Sequence, residues 1–307
     1  AVPDFTTDDM QNLAVRDVAQ WIKLWSGPDQ PVVLASPSTT TKMLLYGGVR
    51  GVDTLYWENL PGLRAAAKVF AARSDDEAQA LATRLGLTHI VSFSWETFEP
   101  AMVMLERGLP ADAPLPTDAF YARLLKSPVP PLWLQAVPFK LPQHPAFEGA
   151  HVRIWKVVPP QSPATALART TNFYLELGQL ELAAKLAEQD WWQRDLTAMV
   201  MLAAIASRDG DREGFGAALG QVLARLNQAP ALALDEHLHL VVALAVGQRV
   251  DLAQVQLRAC MAKLDEKSLF QLSVGTLNDL LALSDALNVP WPSAALRETA
   301  QGLLPPK

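Results

Sequence analysis

Along residues 6–26, Met10, Ala14, Val18, Trp21, Ile22 and Trp25 recur every three or four positions and form one apolar stripe, which predicts an amphipathic helix. Thr6 or Thr7 can cap it, Asp8 and Asp9 suit the positive end of its dipole, and Gly27-Pro28 stops it. The period then changes. Residues 31–35 are a short, continuous apolar run, the mark of a strand covered on both faces. SPSTTT (36–41) leaves its carboxyl end and leads into a short helix at 42–46, closed by Gly47-Gly48. Residues 52–57 read as a second strand, 61–67 as a short helix and 68–71 as a third strand. Residues 74–93 combine both periods. Ser74 and Glu77 make a capping box, Ala78, Leu81, Ala82 and Leu85 share a helical face, Gly86 ends the helix, and 87–93 form a buried strand. Strands separated by helices at this spacing predict right-handed crossovers and a mostly parallel sheet.

Residues 97–130 are less regular, with a helix expected at 118–125 after the Pro-rich PADAPLPT. Residues 132–139 and 152–158 read as two further strands, an antiparallel pair on the sheet edge. PPQSP (159–163) is a linker, because its prolines forbid regular pairing. Beyond it Ala and Leu dominate and every segment reads helical. A weak repeat places Gly178, Gly210 and Gly247 32 and 37 residues apart, near the tetratricopeptide period of about 34. The first copy fits best, with Leu167, Tyr174, Gly178, Ala183 and Ala187 at the expected places. The expectation is an α/β domain over 1–160 with a mostly parallel sheet. An all-α, tetratricopeptide-like stack of about three hairpins follows over 164–307, ending in a less regular pair near Val289-Pro290-Trp291-Pro292.

Composition narrows the partners. The chain has 307 residues, half of them hydrophobic, and a net charge of −6. Its Lys and Arg do not cluster in sequence, so nucleic acid is not an expected partner. The single cysteine, Cys260, excludes an internal disulfide, and with Leu257, Met261 and Leu264 around it reads as a small buried hydrophobe. No apolar run reaches the ~20 residues of a membrane helix, and the acidic opening AVPDFTTDD does not read as a signal peptide.

Chemistry is sparse. His237 and His239 stand two apart on a predicted helix and point away from each other. His89, His144 and His151 lack a Cys or acidic neighbour at ligand spacing. No metal and no cofactor is called for. SPSTTTK (36–42) lacks both glycines of a phosphate loop, and Gly47-Gly48 follows a helix instead of opening one. No nucleophile, acid or base set is visible, so no catalytic residue is assigned. One binding candidate remains. Ligands of open parallel sheets lie beyond the carboxyl ends of the strands. Those ends carry Ser36, Ser38 and Thr39, then Tyr56, Trp57, Glu58 and Asn59, then Trp95 and Glu96, a set that suits a sugar or another polar ring. The competing reading is that the tryptophans cap the sheet core and the polar residues cap helices. Trp191-Trp192 and the charged run 208–213 read as repeat packing and a solvated turn.

The segments VVLASPSTTTKMLLYGGVRGVD, TLYWENLPGL and KVFAARSDDEAQALATRLGLTHIVSF occur in this order within 31–95. Together they resemble the soluble segment after the last membrane span of polytopic bacterial glycosyltransferases that use polyprenyl-phosphate sugars, relatives of oligosaccharyltransferases. Tyr46, Gly48, Arg50, Tyr56 and Asn59 carry the match. The resemblance implies a periplasmic domain of an inner-membrane protein, linked to the membrane only through segments upstream of Ala1. The catalytic acids of that family lie in a loop between early spans, so none carries over. The implied role is non-catalytic, assisting binding of an acceptor or lipid-linked sugar, or recruiting a partner. The alternatives are a freestanding module whose helical repeats bind a protein or peptide, and a soluble sugar-acting enzyme using the strand-end rim; the alternative location is the cytoplasm.

Overall fold

Thr6 opens the first helix through a reciprocal box with Asp9: Thr6 accepts from the Asp9 N–H while Asp9 accepts from that of Thr6. In the computed structural model, which describes residues 5–56, 58–189, 192 and 195–304, this helix is α1, Thr7–Trp25. The chain divides into two units, Ala1–Pro160 and Gln161–Lys307.

The first unit is built on five strands, β1 (Val32–Leu34), β2 (Arg50–Gly51), β3 (His89–Phe93), β4 (Leu134–Val137) and β5 (Val152–Val157), in the order β2-β1-β3-β5-β4. The sheet is mixed. β1 is parallel to β2 and β3, whereas β5 runs antiparallel to both β3 and β4. The expected parallel character therefore holds for the β2-β1-β3 half, and the antiparallel pair adds onto β3. Alternate side chains go to opposite faces. Val33, Val91, Phe93 and Ile154 pack with α1 and with Met43 of α2 (Pro37–Gly47). Leu34, Ile90, Leu134 and Trp155 pack with α3 (Leu60–Ala71), α4 (Asp75–Arg84), α5 (Phe98–Arg107) and α6 (Phe120–Lys126). Helices thus cover both faces, which is why every residue of β3 is buried.

Three sequence expectations change here. Residues 68–71 are not a strand but the last turn of α3. Three alanines precede them, Pro61 sits in the first turn, and Ala66, Ala67, Val69 and Phe70 are buried. A four-residue apolar run has the same composition in either state, and the helix-forming stretch before it decides. The second strand is Arg50–Gly51, not 52–57. Beyond Val33, the backbone of 52–55 bonds side chains: Asn59 Nδ2 donates to Val52 O (2.9 Å) and Thr54 O (3.2 Å), and Leu55 N donates to Thr41 Oγ1 (2.7 Å). Gly62 presses against this loop, where any Cβ would collide with the Val52 carbonyl. Third, helix α2 starts five residues earlier than expected, at Pro37, because Ser36 is its cap. The irregular stretch after 97 also contains α5.

The second unit is all-α. Helices α7 (Pro163–Leu177) and α8 (Leu180–Ala187) turn at Gly178, α9 (Leu196–Asp209) and α10 (Arg212–Ala224) at Gly210, and α11 (Leu234–Val246) and α12 (Val250–Ala262) at Gly247-Gln248. A short α13 (Glu266–Leu269) precedes α14 (Val274–Ala286) and α15 (Ala294–Leu303). Gly178 and Gly210 take left-handed φ of 78° and 76°. In the third turn Gln248 takes the positive φ and Gly247 does not. Helix α9 packs against α7 and α11, and α11 against α14, so the first helix of each pair forms an inner layer. That layer is closed by polar contacts. Glu176 of α7 accepts from Ser273 Oγ and Gly275 N at the start of α14, and Arg169 grips Asp235 of α11 at 2.7 and 3.1 Å. Cys260 is buried, and burial pushes its thiol up to about 12. Trp192 is fully buried, and Trp191 lies outside the described residues. Among the described residues, no helix is long and apolar enough to cross a membrane.

Candidate functional site

The turn after β1 is flanked by the loop after β2 on one side and the loop after β3 on the other. All three sequence-proposed groups therefore gather at one end of the β2-β1-β3 half. Ser36 caps α2 by accepting from Thr39 N, and its Oγ lies 3.3 Å from Ser38 Oγ. The Thr39 hydroxyl donates to Glu96 Oε1 (2.8 Å) and the Ser38 hydroxyl to Glu96 Oε2 (3.4 Å). Glu96 is thus held across two strand ends with both oxygens oriented, and each keeps lone pairs for further donors.

The proposed residues divide by what they touch. Ser36 and Thr39 are fully buried and serve the cap and Glu96. Asn59 is tied to the Val52–Thr54 backbone and holds its loop. Trp95 lies 4.7 Å from Phe93 and 6.1 Å from Phe147, ring centre to ring centre, packed on the sheet core. Ser38 and Glu96 are half-buried, and Glu58 is exposed. Tyr56 is 66% exposed, and Phe98, just after Glu96, is 51% exposed. Trp57 lies outside the described residues. The accessible rim therefore offers an oriented carboxylate and a hydroxyl, and the segments after β2 and β3 add the exposed aromatic side chains of Tyr56 and Phe98.

Behind this rim lie groups that sequence reasoning missed. Asp53, just past β2, is fully buried; its Oδ1 accepts from Thr40 Oγ1 (2.7 Å) and its Oδ2 has no protein partner. Glu99, in the first turn of α5, is fully buried with neither oxygen partnered. Burial pushes both carboxyls up to about 7. Hydrogen bonding opposes that rise at both groups, from the Thr40 hydroxyl above all at Asp53, and at Glu99 the charges of Glu96 and Asp53 add to it. Burial and Glu99 raise the Tyr121 phenol to about 12, and its oxygen lies 3.3 Å from Ser92 Oγ. Glu99 stands three residues after Glu96 at a strand end, and that spacing was the one signal available in the sequence. Nothing in the sequence distinguishes a buried Asp53 from a solvated one.

Elsewhere His237 and His239 are each held by a neighbouring polar side chain. His237 Nε2 lies 2.7 Å from Gln256 Oε1 and His239 Nε2 lies 3.3 Å from Thr276 Oγ1, so the two have separate surroundings. Among the described residues no three His, Cys, Asp or Glu side chains converge as a metal site.

No protein-family model matches the chain, and no curated protein matches it. Among solved structures, it is similar to the C-terminal globular domain of an oligosaccharyltransferase from Archaeoglobus fulgidus, with 17% identity and a TM-score of 0.36 over 51% of this chain and 100% of that one.

Proposed function

We propose that the first unit is a non-catalytic ligand-recognition domain of an extracytoplasmic membrane glycosyltransferase, and that its strand-end rim binds a hydroxylated ligand such as an acceptor or the sugar of a lipid-linked donor. The observation that carries this reading is the orientation of Glu96 by Thr39 and Ser38 at strand ends whose following segments also carry the exposed rings of Tyr56 and Phe98. A fixed carboxylate accepts bonds from vicinal hydroxyls, and an aromatic face covers the apolar side of a pyranose. The resemblance of residues 31–95 to soluble segments of polyprenyl-phosphate-sugar glycosyltransferases adds the enzyme context.

The test is binding of the chain to an immobilised saccharide array, repeated with Glu96→Gln and Tyr56→Ala. The expected result is retention of at least one saccharide class, with each variant weakening it about tenfold, the worth of one charged hydrogen bond or one ring contact. Retention of no saccharide, or equal retention by both variants, overturns the rim assignment. The context is tested separately by the coding sequence upstream of Ala1, where several membrane spans are expected. A reading frame without any removes the glycosyltransferase reading.

A further inference from the structure

Between α3 and α4 a cavity of about 390 Å³ opens over an apolar floor of Ala65, Leu81 and Leu85. Three cations line it: Arg64 and Lys68 from α3 and Arg84 from α4. All three are exposed, and among the described residues none makes an ion pair or hydrogen bond. Five other arginines pair with acids: Arg16 with Asp17, Arg107 with Asp118, Arg123 with Asp75, Arg169 with Asp235 and Arg297 with Asp285. Other exposed cations, Arg50, Arg212 and Arg249 among them, also lack an ion pair among the described residues, but they do not line this cavity. The acids of α4 lie in its first turn, where Asp75 holds Arg123 and Glu77 accepts from the Arg73 N–H, and not beside Arg84.

Helix electrostatics do not account for the cluster. Lys68 and Arg84 sit in last turns, where a cation is favoured, but Arg64 sits in the half of α3 where the dipole opposes it. Arg64 and Lys68 are also four apart, a spacing at which like charges weaken a helix. What sets these three apart from the other unpaired cations of the chain is that they line one concavity together with apolar side chains.

We propose that this cavity binds a phosphate group carried on an apolar body. The phosphate would sit among Arg64, Lys68 and Arg84 and the apolar part on Ala65, Leu81 and Leu85. A single guanidinium satisfies a carboxylate. Three cations match the charge of nearly −2 and the three acceptor oxygens of a phosphomonoester. An acidic lipid headgroup and a soluble phosphate ester share this chemistry. The site is independent of the rim, since none of its lining residues belongs to the Glu96 constellation.

Two probes separate the sources: phenyl phosphate in solution, followed by calorimetry, and phosphatidylcholine vesicles with or without phosphatidic acid, followed by flotation, each with the full chain. At least one phosphate probe is expected to bind, with affinity falling as salt rises and about fivefold for each cation removed. The triple variant Arg64→Gln, Lys68→Gln, Arg84→Gln is expected to abolish binding, and Lys126→Gln to leave it intact. Binding to vesicles alone identifies a lipid, and binding to phenyl phosphate alone a soluble ester; either supports the site. Absence of binding to both probes, undiminished binding by the triple variant, or benzoate bound as tightly as phenyl phosphate overturns it. The three positions are exposed, so an unchanged melting curve is expected. If the triple variant does not fold, Arg64→Gln and Arg84→Gln separately carry the same comparison.

Discussion

Asp53 and Glu99 make the fold sensitive to proton supply. Burial raises both carboxyls in the folded state, from 3.8 and 4.5 to about 7. A group raised on folding contributes stability that is fully present below its unfolded pKa and is lost as pH climbs through the folded one. The contribution of these two carboxyls is therefore complete below about pH 4 and gone above about pH 7. His89 works in the opposite direction. Burial, helped by Lys156, lowers it to about 3, so its contribution is present above pH 6.5 and lost as pH falls toward 3. Asp53→Asn and Glu99→Gln isolate the carboxyl part. Urea unfolding is expected to find each variant gaining on the parent between pH 5 and 8, by up to ~3 kcal/mol. A difference that stays flat over this range would mean that these carboxyls are solvated. At this scale the sequence was a partial guide. Ser36 and Thr39 after β1 and Glu96 after β3 come together at one end of the sheet, but their roles were not legible. A hydroxyl in a turn reads the same whether it faces a ligand or turns inward to orient a carboxylate, and only the packing of α2 against the loop after β3 separates the two.

Helix boundaries were legible where the sequence carries a cap or a closing glycine at the expected spacing, because a cap is a local device. The Ser74 hydroxyl accepts from Glu77 N at 3.1 Å, as its spacing implies, and Gly178 and Gly210 close their helices in left-handed geometry. Short strands were the least legible. Residues 68–71 and 52–57 have strand-like composition, yet the first continues an alanine-rich helix and the second has its backbone satisfied by Asn59 and Thr41. Contacts between distant helices were not legible at all. Arg169 of α7 and Asp235 of α11 are both largely buried, with side chains 19% and 11% exposed. Burial raises the Asp235 pKa, but the guanidinium outweighs it and holds the carboxyl below its ordinary value. Arg169→Met is expected to cost about 3–5 kcal/mol, because it strands a buried carboxylate, whereas adding Asp235→Leu recovers most of that loss. Thermal unfolding of the two variants measures this. A double variant as unstable as the single one would show that the pair itself, and not the stranded charge, stabilises the bundle.

At the scale of the molecule, each unit has its own core: the sheet with helices on both faces in one, and the layered helix pairs in the other. Segments 1–160 and 161–307 produced separately are therefore expected to melt cooperatively and to keep their helical circular-dichroism signal. A noncooperative melt of either would show that it depends on the other. The inner layer of the second unit also departs from an open repeat array. In such an array each repeat touches only its neighbours, but Glu176 in the first pair reaches the start of α14 in the last. The sequence by itself determined the alternation of strand and helix in the first half, the helical second half, the caps and the glycine turns, because these follow from local periodicity and backbone conformation. Tertiary structure alone decided the antiparallel placement of β5 beside β3, the closure of the inner helices, the buried carboxyls behind Glu96 and the meeting of Arg64, Lys68 and Arg84 over one cavity. Each of these joins residues far apart in the chain or on separate elements, and no local pattern records which of them will be neighbours once the core has formed.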